Sequence, residues 1–488
     1  MPLGDKVIRK ELSIFPKSLY APIYKWRRLL QVSGGSSLTL SSGPTNSIFN
    51  IPGGGVYNYA KSWLQWDLTL PAVATAATYN TVWADQVPIQ DITLQTQTGQ
   101  IVANLTGVPV YTKHARFLCT SMRDYLTWEP VRAAANAGGV ANVIANAFGT
   151  INNCLQPSPR DYAATNTTAN LKSVNVTSQY ITSGAVVSPT AMTAAAGIDA
   201  DTLSPQRLVT GAVYGAGPPV IGQLVVRYRI PLSAFVGTLL ACDRNMYFGG
   251  QNMQLNINFS QLNKWGFNSE IDAVTNLTAL TAGTFTNYYF YLCQEMCADN
   301  IDAAVAEVGK PGGLSLLIPY TICPKYAAGA AGLFTANTPL TAGMGILKRV
   351  ITVVVDNTDL NTTTSNSDNV AGAKWTTIQS FLNNSPVQDW QLSVANGDDF
   401  NYLYNMIKDT PCGITSRIYR TSAFWCDNFS DADSGYMFPE NDLMDSGHEI
   451  SNSENYSIQF QLVGASQIYQ FCTFSKRLII TNSVIQFA

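Results

Sequence analysis

The chain has 488 residues, a formal net charge of −3 and 12% charged residues, about half the usual share of charge. This length exceeds one ordinary hydrophobic core, so two large domains or more are expected. Scarce Glu and Lys leave few solvated helical faces, while abundant Thr, Tyr, Val and Asn favour β-sheets. No run of about 18 apolar residues predicts a transmembrane helix. Near-neutral charge does little to keep a surface monomeric, so large interfaces are expected.

Cysteine usage and the first residues bear on the cellular compartment. The nine cysteines are an odd number without a CxxC pair, which predicts reduced, buried thiols rather than a disulfide framework. Residues 1–15 lack the apolar core of a secretory signal, so we expect a protein that is not secreted through a signal peptide.

Residues 1–30 hold the main concentration of charge in the sequence. The basic residues of this segment are Lys6, Arg9, Lys10, Lys17, Lys25, Arg27 and Arg28. They could form a solvated arm, or an arm that meets polyphosphate or anionic lipid and gains by releasing counterions. A Gly/Ser-rich hinge follows at 33–42. We therefore predict that residues 1–40 form a basic N-terminal arm and its hinge.

Alternating apolar and polar residues predict strands at 47–52, 63–70, 87–96 and 100–106, the last two forming a hairpin about Gly99. In the segment 63–70 four residues are expected to face inward and three outward, namely Leu64, Trp66, Leu68 and Leu70 against Gln65, Asp67 and Thr69. The segment 111–125 lacks helix breakers and is predicted to be a helix. Residues 128–221 are poor in charge and show no lasting period, which favours a long inserted loop or subdomain over an independent domain.

The clearest strands follow this insertion. Their alternating apolar residues are Leu224, Val226, Tyr228 and Ile230 in one strand, and Met253, Leu255, Ile257 and Phe259 in the next. The same pattern returns near the C-terminus with Tyr456, Ile458, Phe460 and Leu462. An aromatic-rich strand is predicted at 285–296. The repetition indicates one β module that occurs twice.

A Gly- and charge-rich segment at 299–313 is the predicted junction between the modules. Beyond it, strands are predicted at 314–321, 346–356, 373–381, 387–394, 416–426, 456–462 and 468–480. The strand at 346–356 is expected to be covered on both faces. A short helix is predicted at 398–407.

Matching the two modules locates the insertion. Phe460 follows Phe259 by about 201 residues, whereas the strand about Val353 follows the strand about Trp66 by about 287. The first module is therefore longer by roughly 86 residues. Each module offers about eight short strands, which suits a jelly roll of two four-stranded sheets. We predict an all-β double jelly roll with short helices and one large loop insertion: the first jelly roll at 41–305, with the insertion at 128–221, and the second at 306–488.

The sequence offers little catalytic chemistry. The two histidines, His114 and His448, are read as surface or satisfied residues, although a ligand role for His448 beside Asp445 and Glu449 is conceivable. The residues Asp427, Asp431 and Asp433 resemble a calcium loop only loosely and are better read as an acidic surface turn. Cys293 and Cys297 are read as core thiols facing the same way on one strand, about 13 Å apart. The pair Asp398 and Asp399 and the Gly309–Gly313 run match no known catalytic motif. We expect no catalytic residues, no cofactor and no metal.

Several short segments resemble the double jelly-roll major capsid proteins of the tailless-phage and adenovirus lineage. The most specific is Arg229-Ile230-Pro231-Leu232 followed by Cys242-Asp243-Arg244 and a strand that ends in polar residues. It is similar to the late part of the first jelly roll in capsid proteins of polinton-like viruses and virophages. The early strands about Ile51-Pro52 and 63–70 are similar as well. Residues 128–221 have no counterpart in the resemblance.

The resemblance implies a structural protein of the virion and not an enzyme. Its function would be to assemble as a pseudo-hexameric homotrimer, the capsomer of the icosahedral shell of a DNA virus. Its partners would be itself, neighbouring capsomers, and penton and minor capsid proteins, with no small-molecule substrate. The basic arm would point inward, to genome, inner membrane or minor proteins. The alternatives are a β-rich attachment, spike or lectin-like binding protein, and a β-sandwich carbohydrate enzyme.

Overall fold

The structure is a computed structural model. It describes residues 21–40, 45–69, 79–83, 89–111, 131–135, 180–182, 185–187, 208–210, 224–261, 266–270, 278–279, 283–341, 345–356, 374–407, 424–430, 447–451, 453–482 and 484–487. The other residues, including Lys6, Arg9, Lys10, Lys17 and His114, lie outside the described part of the chain.

The first half is built from strands. They are β1 (Tyr24–Leu29), β2 (Leu38–Leu40), β3 (Thr45–Ile51), β4 (Tyr57–Thr69), β5 (Tyr79–Trp83), β6 (Ile89–Thr96), β7 (Ile101–Thr106), β8 (Val131–Ala135), β9 (Tyr180–Thr182), β10 (Ala185–Val187), β11 (Leu208–Thr210), β12 (Leu224–Pro231), β13 (Asn245–Met246), β14 (Met253–Phe259), β15 (Gly266–Glu270), β16 (Thr278–Ala279) and β17 (Gly283–Glu295). Two 3-10 turns, Leu232–Ala234 and Leu239–Ala241, follow β12.

Helix α1 (Ala298–Val308) leads into the second half. Its strands are β18 (Leu314–Ile322), β19 (Lys325–Ala328), β20 (Gly332–Leu340), β21 (Ile346–Asp356), β22 (Trp375–Leu382), β23 (Ser385–Pro386), β24 (Leu392–Ser393), β25 (Trp425–Asn428), β26 (His448–Glu449), β27 (Glu454–Leu462), β28 (Ser466–Ile480) and β29 (Ile485–Phe487). Helix α2 (Asp398–Ile407) lies between β24 and β25.

Both halves have jelly-roll topology. In the first, one sheet has the order β1-β17-β4-β12-β8 and the other β3-β14-β6-β7. In the second, the corresponding orders are β18-β28-β21-β25 and β20-β27-β22-β23, with β24 also paired to β22. If the eight strands of each unit are lettered B to I along the chain, both units have the sheets B-I-D-G and C-H-E-F. The predicted double jelly roll is therefore confirmed.

The clearest predicted strands form as expected. In β14, Met253, Leu255, Ile257 and Phe259 are buried while the polar residues between them are half-buried. The hairpin of β6 and β7 turns at Gly99, which adopts a φ of 91° that favours glycine. Strand β21 has the predicted bounds, and its residues 346–355 are all buried.

Some predictions need correction. Strand β4 begins at Tyr57, earlier than predicted. Asp67 shares the outward side of the strand with Gln65, as predicted, but it is buried there, and Asn287 Nδ2 donates to its carboxylate at 2.9 Å. Of the predicted strand at 387–394, only β24 at Leu392–Ser393 is a strand; β23 precedes the predicted range, and residues 387–391 form an excursion between the two. Strand β20 and helix α1 were not predicted. The predicted helix at 111–125 falls mostly outside the described residues, although residues 108–111 are helical.

The extra length of the first jelly roll lies between its F and G strands. There 117 residues separate β7 from β12, against 31 between β24 and β25, a difference of 86. Of the elements in this connection, β8 pairs with β12 and β11 pairs with β5. The connection thus accounts for the offset between the modules, while the bounds 128–221 stay a prediction.

Candidate assembly surfaces

The basic segment is only partly a free arm. Lys25, Arg27 and Arg28 lie on β1, the B strand, which pairs antiparallel with β17 along its whole length. All three side chains are exposed. Arg27 Nη1 donates to Gln294 Oε1 at 3.4 Å. Three of the seven predicted arm residues therefore belong to the edge of a sheet.

A buried carboxylate holds the start of β1. Glu295 is fully buried, and its Oε1 accepts the backbone N–H groups of Ile23, Met296 and Cys297 at 2.9–3.0 Å. Its Oε2 accepts from Asn245 Nδ2 at 2.9 Å. Charge-assisted bonds of this kind are stronger than neutral ones. Glu295 therefore fixes Ile23, just before β1, to the first jelly roll.

Trp26, Arg28, Trp63, Tyr289 and Tyr291 form a surface that we name the aromatic face. It lies on the outer side of the first B-I-D-G sheet. The Trp63 and Tyr291 rings stack at 5.0 Å, with Trp26 at 5.9 Å from Trp63. The Arg28 guanidinium lies 4.4 Å from the Tyr289 ring centroid, a cation–π contact. Trp26 is 45% exposed, so the face presents rigid apolar area to solvent.

The sequence contained a signal for this face that went unused. Tyr289 and Tyr291 are two residues apart on one strand, as are Trp26 and Arg28 on the neighbouring strand. Residues at this spacing share one side of a sheet. What the sequence could not supply is the pairing of β1 with β17, which brings the two sets together.

The outer side of the second B-I-D-G sheet is covered by the first jelly roll. Thr321 Oγ1 donates to the Gly237 carbonyl at 2.8 Å. The Phe471 ring lies 4.9 Å from that of Tyr111. Gly249 of the first jelly roll also lies very close to the backbone of Thr481, since a Cβ added to this glycine would be only 2.1 Å from the Thr481 carbonyl oxygen. The two jelly rolls are thus closely packed side by side in one chain.

Asp427 is a buried structural group and not the acidic surface turn predicted. Its Oδ2 accepts from Trp425 Nε1 at 3.0 Å and from the Tyr456 hydroxyl at 2.6 Å. Its Oδ1 accepts from the Tyr402 hydroxyl at 3.2 Å and Gln388 Nε2 at 3.3 Å. Burial raises the pKa of Asp427, although these hydrogen bonds oppose the shift. The carboxylate joins α2, the excursion between β23 and β24, and the G and H strands of the second jelly roll. Asp431 and Asp433 lie outside the described residues.

The other candidate residues have structural partners. His448 Nε2 contacts Glu454 Oε2 at 2.6 Å, and Glu454 also accepts from Ser451. This geometry agrees with the interpretation of His448 as a satisfied residue. The carboxylate that it contacts belongs to Glu454, and not to the sequence neighbour Glu449. Asp398 and Asp399 lie in the first turn of α2, where carboxylates are favourable.

The two cysteines do not share a strand as predicted. Strand β17 ends at Glu295, so Cys293 is a core thiol while Cys297 precedes α1 and is half-buried. Burial raises the pKa of Cys293 to about 12, which leaves it protonated and unreactive at neutral pH.

Within the described residues, no three His, Cys, Asp or Glu side chains lie together as a metal site would require. In the same part of the chain, no helix is long and apolar enough to cross a membrane.

Comparisons with known proteins give a likeness in structure alone. A scan of protein-family models and a search of curated proteins each found no match. Among solved structures, a chain of the Sputnik virophage matches over 97% of this chain and 89% of its own, with 12% identity and a TM-score of 0.53. The mavirus major capsid protein matches over 100% of this chain and 93% of its own, with 9% identity and a TM-score of 0.47. The likeness to the Sputnik chain shows that this chain shares its fold. The chain is a double jelly-roll protein.

Proposed function

We propose that this chain is the major capsid protein of an icosahedral DNA virus, a structural subunit of the virion and not an enzyme. The observation that carries the proposal is the repetition of one jelly-roll topology, B-I-D-G against C-H-E-F, in tightly packed units of a single chain. The fold likeness to a virophage chain supports it. A shell subunit needs large, shape-stable surfaces more than it needs reactive groups.

We propose a homotrimer as the assembly unit. Three chains with two similar units each present six similar lobes, and a ring of six suits a hexagonal lattice. Its partners would be copies of itself, neighbouring capsomers, and penton and minor capsid proteins. The first jelly roll would extend to about residue 305 and the second from 306 to 488.

The basic arm would serve contacts inside the shell. Lys6, Arg9, Lys10 and Lys17 precede β1, so they could reach genome, inner membrane or a minor capsid protein while Glu295 holds the chain at Ile23. Lys25, Arg27 and Arg28 would add to the same basic edge where the arm leaves the sheet.

Two deletions test the arm. Removal of residues 1–20 should leave the oligomer folded and impair particle closure or cargo contact, because these residues precede β1. Removal of 1–30 should also strip the B strand and lower stability. Light scattering and electron microscopy of particles give the readout. Loss of the oligomer in the shorter deletion would show that the arm is part of the core assembly.

Light scattering of the purified full chain tests the function itself. The expected mass is three times 52.9 kDa. A stable monomer that binds glycans would instead favour a lectin-like attachment protein. The exposed aromatic face is the feature that could serve such binding, since stacked Trp and Tyr rings suit sugar rings.

A further inference from the structure

The aromatic face has an equivalent in the second jelly roll. The registers of the I and D strands match between the two units over their central pairs. On the outer side, the equivalent pairs are Tyr289 and Tyr469, Tyr291 and Phe471, Gln65 and Val353, and Trp63 and Ile351. Tyr289 lies opposite Gln65 as Tyr469 lies opposite Val353, and Tyr291 lies opposite Trp63 as Phe471 lies opposite Ile351.

The equivalence extends to the B strand. Trp26 pairs with Cys293 on β17, and Thr321 pairs with Thr473 on β28. Cys293 lies two residues beyond Tyr291 on β17, as Thr473 lies two residues beyond Phe471 on β28, so Trp26 corresponds to Thr321. Thr321 is the residue that donates to the Gly237 carbonyl across the contact between the jelly rolls.

The two equivalent surfaces differ in what covers them. In the second jelly roll, Ile351, Val353 and Phe471 are fully buried, and the ring of Phe471 contacts Tyr111 of the first jelly roll. In the first jelly roll, Trp63, Tyr289 and Tyr291 are only half-buried and Trp26 is exposed. The same position in the fold is thus an interface in one unit and an accessible surface in the other.

The chain also shows which kind of surface covers this position. Within the chain, the F strand β7 and the following Gly107–Tyr111 segment lie against β18 and β28. The F strand of the second jelly roll is formed by β23 and β24. The excursion between them carries exposed Asp389 and Trp390, the latter 63% exposed. An acidic residue beside an exposed Trp complements a face that carries Trp26 and the guanidinium group of Arg28.

We propose that the aromatic face is the subunit interface, and that it is occupied by the F-strand edge of the second jelly roll of another copy, with Asp389 and Trp390 at its centre. This inference rests on the proposed trimer and adds its contact surfaces. The contact is head-to-tail, repeats the one inside the chain, and closes into a ring.

Single substitutions on either side test the contact. Trp390→Glu and Trp26→Glu should each raise the subunit dissociation constant by at least about 30-fold, the loss typical of a buried Trp hot spot. Leu333→Glu is the matched control, because Leu333 is 67% exposed on β20, away from both surfaces. Light scattering across a dilution series measures the change, and circular dichroism checks folding. If both Trp variants form trimers with the dissociation constant of the wild type, the proposed interface is wrong, while the proposed function stands.

Mixing the two variants tests the head-to-tail geometry. The Trp26→Glu chain keeps an intact F-strand edge, and the Trp390→Glu chain keeps an intact aromatic face. An equimolar mixture should therefore form a dimer through one good contact and should not close into a ring. A mixture that stays monomeric would contradict head-to-tail pairing of these two surfaces.

A measurement on the wild-type protein covers the case in which a variant misfolds. Oxidative footprinting of the trimer should show Trp26 and Trp390 both protected, compared with the same residues in dilute, dissociated chain. Full reactivity of either Trp in the trimer would overturn the proposal. A wild-type chain that is monomeric at all concentrations would instead contradict the proposed function.

Discussion

Asp427 illustrates how one residue can organise a unit of this fold. Its carboxylate accepts four hydrogen bonds in the core of the second jelly roll. Asp427→Ala should lower the free energy of unfolding by about 2–4 kcal/mol, because buried donors lose their acceptor. Asp427→Asn keeps one acceptor and should cost less. Denaturant unfolding measures both, with exposed Asp302→Asn on helix α1 as control. An alanine variant as stable as wild type would show that the network contributes nothing net.

The pH dependence of stability should have opposite signs at two buried carboxyls. Burial raises the pKa of Asp427. The contribution of Asp427 to the free energy of unfolding is therefore full below the ordinary aspartate pKa, and it is lost as pH rises through the raised pKa. Burial also acts to raise the pKa of Glu454, but hydrogen bonds with Ser451 and His448 outweigh it and lower the pKa. That contribution is present above the ordinary glutamate pKa and is lost as pH falls through the lowered value.

Two conservative variants separate these contributions. The stability advantage of wild type over Asp427→Asn should shrink as pH rises, and its advantage over Glu454→Gln should shrink as pH falls. Denaturant unfolding at a series of pH values gives both slopes. Slopes of the same sign would contradict the assignment at one of the two carboxyls.

Single residues also mark where the sequence misleads. Asp427 and Asp67 are acidic residues, and both were expected at the surface. Their burial depends on partners far along the chain, Tyr456 for the first and Asn287 for the second. Sequence pattern reports local polarity and cannot supply such long-range partners.

At the scale of elements, alternation identified the central strands well. Strands β14 and β21 were predicted because each has buried neighbours on both sides in its sheet, which demands apolar residues at fixed positions. The edge strands β1 and β20 were not predicted. Strand β1 is rich in Lys and Arg, and β20 carries Pro339, features that protect sheet edges from further pairing. Helix α1 was read as a junction because small and charged residues alternate there. Its apolar stripe of Ile301, Ala304 and Val308 is at helical spacing but is short and made partly of alanine.

The central strand β14 provides the test at this scale. Ile257→Asp should abolish folding of the first jelly roll, since an unpaired buried carboxylate costs several kcal/mol. Gln254→Glu on the other face of the same strand is the control and should change stability by no more than about 1 kcal/mol. Soluble yield and circular dichroism give the result. Normal yield of the Ile257 variant would show that this face of β14 does not border a core.

For the whole molecule, the repeat was visible in the sequence but the surfaces were not. The strands that contain Phe259 and Phe460 are the H strands of the two units, and those that contain Trp66 and Val353 are the D strands. Their offsets place the extra residues of the first jelly roll between its D and H strands, and the strand bounds narrow this to the connection between F and G. The aromatic face and the Asp389–Trp390 edge emerged only when strand registers of the two jelly rolls were compared, because interfaces depend on exposure in three dimensions.

The central claim is that each chain supplies two equivalent lobes to a closed ring of six. Electron microscopy of the purified full chain tests it most directly. The account predicts particles with a hexagonal outline, six lobes and a mass of three times 52.9 kDa. Single two-lobed particles at all concentrations, or a ring with another number of lobes, would contradict it.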